Sequence, residues 1–371
     1  MSEWKEYKLG DIACFSYGRM PKKELINTGV FPIFSGYKYQ YLYPENNCDE
    51  GDLIIVARGV GGTGDVKIVR EKCYLTNLSI KVNLKNGIVL NEFFYYFFNQ
   101  ETLRYLDSGS AQSQITIQDL EKEFFMFPDI ETQKSISYIL RSLDYKIDLL
   151  HRQNATLEKM AETLFRQWFV ERRPEPVEGE AKEDWKSKPL SSIAVFLNGL
   201  ACQKFPPKNN IEKLPVLKIK ELSSGITENS DWATTDVKPE YIVKNGDVIF
   251  AWSASLMVKI WDGQDCILNQ HLFKVTSKDY PKWFYFLWCK HYLDEFIAKA
   301  ASHATTMGHI KRGDLDKAMV LIPSTKELEE MTLETEPLIE KIIANNKQIK
   351  LLVNLRDILL PKLMSGEIRI L

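Results

Sequence analysis

Gly59-Val60-Gly61-Gly62-Thr63-Gly64 is the segment whose residue types and spacing most invite a chemical reading, because it satisfies G-x-G-x-x-G directly after an apolar run. Glycines so spaced let a backbone approach a phosphate, provided that a helix opens behind them and turns its N-terminus to the anion. Here Val66-Lys67-Ile68-Val69-Arg70 follows and reads as a strand, so the glycines are expected at a hairpin tip. Asp65 also stands where a phosphate-binding loop requires lysine. A second copy of this region, described below, has Ser253-Ala254-Ser255 at the equivalent turn, so no shared cofactor site survives.

The remaining reactive residue types fare no better. An amino-methyltransferase needs an Asn or Asp, two prolines and an aromatic in tandem, and Phe205-Pro206-Pro207-Lys208 supplies only the prolines. Pro128-Asp129, with Glu131 and Lys134, has the wrong Glu to Lys spacing for a metal nuclease. It lies at a helix start, where acids favour the macrodipole, so capping is the expected role. The histidines His151, His271, His291, His303 and His309 show no metal-ligand spacing. Cys14, Cys48, Cys73, Cys202, Cys266 and Cys289 are scattered without a C-x-x-C pair, against zinc or a disulfide framework, and are expected reduced and mostly buried. The chain is therefore expected to carry no catalytic or metal site of its own.

The elements around these residues come in duplicate. Trp4-Lys5, Leu9, Ile12-Ala13, Phe15 and Gly18 recur at one constant offset as Trp185-Lys186, Leu190, Ile193-Ala194, Phe196 and Gly199. The match continues through Phe31-Pro32-Ile33-Phe34 against Leu214-Pro215-Val216-Leu217, and Gly51-Asp52-Leu53-Ile54-Ile55 against Gly246-Asp247-Val248-Ile249-Phe250. An insertion in the second copy falls around Ser223 to Tyr241. Ile115, Asp119-Leu120 and Pro128 answer to Ile310, Asp314-Leu315 and Pro323. The shared positions are mainly apolar, Gly and Pro, so a scaffold is duplicated while its loop chemistry is not. Duplication without functional meaning remains a second reading.

In each copy, β-branched and aromatic runs such as Asp52 to Ala57, Val66 to Val69 and Leu78 to Val82 read as strands. Asn91 to Arg104 and Pro281 to Ala300 read as aromatic-rich helices, giving an α+β domain. After Pro128 the period becomes a heptad through Ile136, Leu140, Leu143, Ile147, Leu150, Asn154, Leu157, Ala161, Leu164 and Trp168, a coiled-coil seam. About 40 residues of helix would span roughly 60 Å. A second seam runs through Leu338, Ile342, Asn345, Ile349, Leu352, Leu359 and Leu363, with Pro337 expected to break its first turns and Pro361 to kink its last. Asn154 and Asn345 lie at seam positions, where they either fix register or face solvent. Two such helices would bury their stripes against each other, most naturally antiparallel, as a dumbbell with approximate twofold symmetry. Arg172-Arg173-Pro174-Glu175-Pro176-Val177-Glu178-Gly179-Glu180 has little to bury and reads as an exposed linker.

The totals agree with that organisation. A length of 371 residues suits two domains of roughly 150 residues plus connections. No stretch reaches the ~18 consecutive apolar residues of a membrane span, and Met1-Ser2-Glu3-Trp4-Lys5 does not open an export signal, so a cytoplasmic protein is expected. A formal net charge of -2 is awkward for a nucleic-acid binder, whose basic groups would then have to be local or come from partners.

Two loops and a closing motif carry a family resemblance over the full length. Ser108-Gly109-Ser110-Ala111-Gln112-Ser113-Gln114-Ile115 leads to Asp119-Leu120 and Phe127-Pro128, and His303-Ala304-Thr305-Thr306-Met307-Gly308-His309-Ile310 leads to Asp314-Leu315 and Ile322-Pro323. The C-terminal helix ends Leu359-Leu360-Pro361-Lys362-Leu363-Met364-Ser365-Gly366-Glu367-Ile368. With two globular copies each followed by a long helix, the chain resembles a type I restriction-modification specificity subunit. That resemblance implies an α+β fold with two duplicated target-recognition domains separated by two long antiparallel coiled-coil helices. The boundaries are residues 1–130 for the first domain, 131–172 for the central helix, 173–184 for the linker, 185–323 for the second domain and 324–371 for the C-terminal helix.

It further implies that each domain reads one half of a bipartite sequence in double-stranded DNA while the helix pair sets the unread spacer. DNA methyltransferase subunits would dock on the long helices, and an ATP-dependent restriction subunit is a further partner; S-adenosylmethionine, ATP and Mg would belong to those partners, with no cofactor in this chain. Base reading requires polar and basic side chains on a rigid frame. Candidates in the first domain are Tyr37, Lys38, Tyr39, Gln40, Arg58, Lys67, Gln112, Ser113 and Gln114. In the second they are Lys218, Lys220, Ser253, Ser255, Thr305, Thr306, His309 and Lys311. Two other readings stay open: a scaffold whose domains bind proteins rather than DNA, and an enzyme with an unrecognised centre.

Overall fold

The structure, a computed structural model, describes residues 4–36, 38–59, 62–85, 87–107, 113–171, 185–302 and 308–368. It divides into two compact units, one formed by Met1–Asp148 with Leu351–Leu371 and the other by Leu149–Lys350. Each unit holds one globular copy and a part of both long helices.

In the first unit, a four-stranded antiparallel sheet runs in the order Ala13–Tyr17, Ser79–Leu84, Leu53–Val56, Val66–Ile68. The run Leu53–Val56 is apolar at every position because both faces of this central strand are covered. Leu53 and Ile55 face a core dominated by the helix Asn91–Gln100, with Phe93 and Phe94 fully buried. Ile54 joins a smaller core with Phe34, Cys48, Val69, Cys73 and Leu75. Each such buried Leu, Ile or Phe side chain contributes about 1.5–3 kcal/mol relative to exposure. The hairpin Phe31–Ser35 with Lys38–Tyr43, joined in parallel by Tyr74–Leu75, makes a second small sheet. Cys48 and Cys73 exchange backbone hydrogen bonds of 3.1 and 3.0 Å across an antiparallel bridge as free, buried thiols.

The second unit repeats the plan: Val195–Asn198, Leu272–Thr276, Val248–Ala251 and Met257–Ile260 form the matching sheet in the same order. Its second sheet differs where the sequence carries the insertion. Trp232–Thr234, inside that insertion, pairs antiparallel with Lys213–Leu217 and takes the place held in the first copy by Lys38–Tyr43. The aromatic segment after Pro281 is two helices, Lys282–His291 and Leu293–Ser302, and that of the first copy ends at Gln100, followed by a 3-10 turn Leu103–Leu106.

The first long helix, Ile130–Arg166, closes with a π-helical stretch Gln167–Glu171. Asp129 caps its start: Thr132 donates to the carboxylate through its backbone N–H at 2.9 Å and its hydroxyl at 3.0 Å. The fully buried Gln133 donates to the carbonyls of Ile88 and Pro128 and accepts from Leu90 N–H at 2.9 Å, latching the helix start to the globular part. All ten seam positions from Ile136 to Trp168 are buried or half-buried.

The second long helix corrects the expected break. It runs from Thr325 to Met364 through both Pro337 and Pro361. Pro337 is exposed, while Met331 and Ile339 on either side of it lie in the core and Leu338 and Ile342 pack against that core, which holds the helix together where the proline withholds a backbone donor. Within each unit the two helices run antiparallel: Arg356 pairs with Asp144 at 2.9 Å in the first, and Asn154 meets Asn345 and Asn346 in the second. Among the described residues no helix is long and apolar enough to cross a membrane.

Candidate nucleic-acid interface

One junction is built twice from different side chains. In the first unit the strand Leu53–Val56 leaves its sheet at Ala57 and Arg58, whose backbone N–H groups both donate to Leu78 O at 2.9 and 3.1 Å. From the other side Ile115 N donates to Ala57 O at 2.9 Å, and Arg58 forms an isolated antiparallel bridge with Gln114. Gly36, with φ of 64°, brings the Phe31–Tyr43 hairpin against Arg58 O, where an added Cβ would lie 3.4 Å away. In the second unit Ile310 N donates to Trp252 O at 3.1 Å, and Ser253 bridges His309. The bridged pairs are equivalent in the two copies, so the repeat that aligns Ile115 with Ile310 also aligns Arg58 with Ser253 and Gln114 with His309.

The side chains at the first junction are polar and only partly engaged. Asp107 accepts from Gln114 N at 2.8 Å and from the Ser113 hydroxyl. Arg58 is half-buried and has no ion pair or hydrogen bond to any described side chain; its Nε is out of contact with water and lacks an acceptor. Lys67, on the edge strand opposite Ile54, lines a cleft of about 730 Å³ with Tyr39, Arg70 and Arg104. Arg104 is committed to Asp65 at 2.9 Å, whereas Lys67 has no ion pair or hydrogen bond among the described residues. Burial pushes the Tyr39 phenol up, so it stays a neutral donor, and its ring packs edge-on against Phe34 at 4.9 Å. Lys38 and Gln40 are exposed on the same strand.

At the second junction Ser253 is 7% exposed and its hydroxyl lies 3.1 Å from His271 Nδ1. Trp252 stacks on Phe273 at 5.6 Å, meets His309 edge-on at 6.3 Å and donates its indole N–H to Asn198 at 3.2 Å. His271 N donates to Asn269 at 3.2 Å. The Ser253 and His271 pair has no carboxylate hydrogen-bonded to the ring among the described residues, so a nucleophile oriented as in a triad is not assembled. Nor do the described residues contain a group of three or more His, Cys, Asp or Glu able to hold a metal.

Other candidates lie elsewhere or in different states. Lys218 is paired with Asp231 at the start of the short helix Ile219–Ser224, on which Lys220 is exposed. Ser255 is exposed beyond Ala254, a non-glycine residue at φ 56°. Lys311 is exposed and caps the helix Arg312–Lys317, its N–H donating to Asp314 at 2.8 Å. Tyr37, Gln112, Thr305 and Thr306 lie outside the described residues. Sequence reasoning missed Asp107, Asn198, Trp252 and the pairing of His271 with Ser253. The tryptophan alone carried a signal, standing beside Ser253 at the end of an apolar run.

Known proteins place the chain among relatives of one kind. The family model described as Type I restriction modification DNA specificity domain matches residues 1–159 and 182–354. The type I restriction enzyme MjaIX specificity subunit of Methanocaldococcus jannaschii is 29% identical, over 99% of this chain and 89% of its own length. The type I restriction enzyme HindI specificity subunit of Haemophilus influenzae is 23% identical over 99% of this chain and 100% of its own length. Among solved structures, the type I restriction-modification S subunit from M. genitalium superposes with a TM-score of 0.65 at 16% identity, covering 98% of this chain and 96% of that one.

Proposed function

The chain belongs to the family of type I restriction-modification DNA specificity subunits, and on that premise we propose that each unit reads one half of a bipartite target in double-stranded DNA. The observation that carries this reading is the duplicated junction: one backbone arrangement, held by equivalent hydrogen bonds, presents Arg58 and Gln114 in one unit and Ser253 and His309 in the other. A constant frame with variable donors and acceptors is what sequence readout requires, since phosphate contacts only position the protein whereas base edges demand specific side chains.

On this reading the helix pair sets the spacer between the half-sites. Methyltransferase subunits dock on the long helices, and the exposed apolar residues Tyr138 and Tyr145 on the first helix and Leu351, Leu355 and Ile358 on the second are the faces offered to them. S-adenosylmethionine, and ATP and Mg for an ATP-dependent restriction subunit, belong to those partners, and this chain performs no bond-making step itself. The complex acts in the cytoplasm, where its DNA is.

The test is to express the chain with its methyltransferase and sequence the methylated sites. A two-part motif is expected, and joint substitution of Ser253 and His309 by alanine should alter one part alone. Alteration of both parts together, or methylation by the chain without its partner, would count against the proposal.

A further inference from the structure

Arg58 and Ser253 hold the same place in the two junctions, and their chemistry differs. Arg58 is fixed at its backbone from both sides, by Leu78 O and by the bridge to Gln114. Arg58 is half-buried, and its guanidinium has no carboxylate among the described residues, although half-buried Arg356 elsewhere in the same unit pairs with Asp144 at 2.9 Å. Withdrawing such a group from water without a partner is costly, which points to an acceptor supplied from outside. Nε is shut away and unpaired, while the backbone that carries the side chain is held from both sides, which leaves the two Nη groups as the donors able to meet such an acceptor. Guanine offers two acceptors, O6 and N7, side by side in the major groove, and matches that fork; no other base edge there presents an adjacent acceptor pair. Gln114, bridged to it at the backbone, adds an amide of the kind that can meet a neighbouring base edge. Ser253 carries no fork, is nearly buried, and is engaged with His271.

We propose that Arg58 reads a guanine in the half-site recognised by the first unit, and that the second unit makes no equivalent guanine contact through Ser253. This inference rests on the base-reading function proposed above.

The full chain, assembled with its methyltransferase, is tested by sequencing the methylated sites. Wild type should give a two-part motif with an invariant G·C pair in one part, and R58Q should relax that single pair while every other position is kept. A second measurement leaves the protein unchanged and alters the DNA: 7-deazaguanine, introduced one guanine at a time, removes N7 and preserves base pairing. One such substitution should weaken wild-type binding about tenfold or more, and R58Q should be insensitive to it. An unchanged motif in R58Q, the absence of an N7-sensitive guanine whose effect depends on Arg58, or a loss that is uniform across sequences, as a phosphate contact gives, would each overturn the proposal. A wild-type complex that yields no two-part motif would overturn the base-reading function instead.

Discussion

Asp52 accepts the Asp49 N–H at 2.7 Å and pairs with Lys81 at 2.5 Å; Asp247 repeats this with Lys244 N–H and Lys274, both at 2.8 Å. The Gly-Asp blocks of the two copies therefore do the same work, turning the chain into the central strand and tying it to its neighbour. Burial pushes the Asp52 carboxyl up, but the hydrogen bond and charge of Lys81 outweigh it and hold the group below the usual carboxylate range. A depressed carboxylate stabilises the fold above its unfolded value of about 3.9, and that contribution disappears as pH falls through the lower folded value. D52N should thus cost about 1–3 kcal/mol at pH 7, and the gap to wild type in urea unfolding should close in acid; an equal gap at pH 3 would refute the linkage. The sequence displayed the aspartates but not their lysines, because Lys81 and Lys274 sit on the neighbouring strand and their pairing depends on sheet register.

The long helices owe their pairing to more than apolar stripes. Asn345, 1% exposed, donates to Asn154 Oδ1 at 2.9 Å, and Asn154 donates to Asn346 at 2.6 Å, so these amides face each other rather than solvent. A buried polar contact of this kind holds one register at some cost in stability. N154A should strand both partners and lower stability by about 1–3 kcal/mol. Replacing all three asparagines by leucine should recover the melting temperature while the spacer in the methylated motif becomes heterogeneous; a spacer as uniform as wild type would show that register is set elsewhere. Lys290 between Glu158 and Glu162 makes a further tie between the helix and the globular part of the second unit. In the first unit, Leu351, Leu355 and Ile358 are exposed on successive turns of one helix. Changing them to glutamate should abolish co-purification of the methyltransferase and leave the far-ultraviolet circular dichroism of the chain unaltered. The heptads were legible because a seam is a periodic property of one strand of sequence. Continuity through Pro337 was not, because it depends on what packs on either side.

For the molecule as a whole, the formal net charge of -2 has to be reconciled with DNA. Many basic side chains are already spent internally, as Lys218 on Asp231, Arg104 on Asp65 and Lys274 on Asp247. On the proposed reading, affinity draws on local donors such as Lys67 and on partner subunits. Binding by the assembled complex should fall about 10³- to 10⁵-fold between 50 and 200 mM salt if six to ten phosphates are contacted in all, whereas the isolated chain should bind weakly. Salt-independent association with methyltransferase present would favour the protein-scaffold reading.

Duplication and heptad periodicity were determined by the sequence alone, since each is a matter of residue type at a spacing along one chain. The strand expected after the G-x-G-x-x-G segment is likewise a local pattern, and Val66–Ile68 is the antiparallel partner of Leu53–Val56. Tertiary structure decided which of the polar loop residues meet. Arg58 and Gln114, or Ser253, His271 and His309, are distant in sequence and become neighbours only through hydrogen bonds among three converging segments. No local spacing rule reports that convergence, because it is set by sheet order and by the loops that the sheets hold in place.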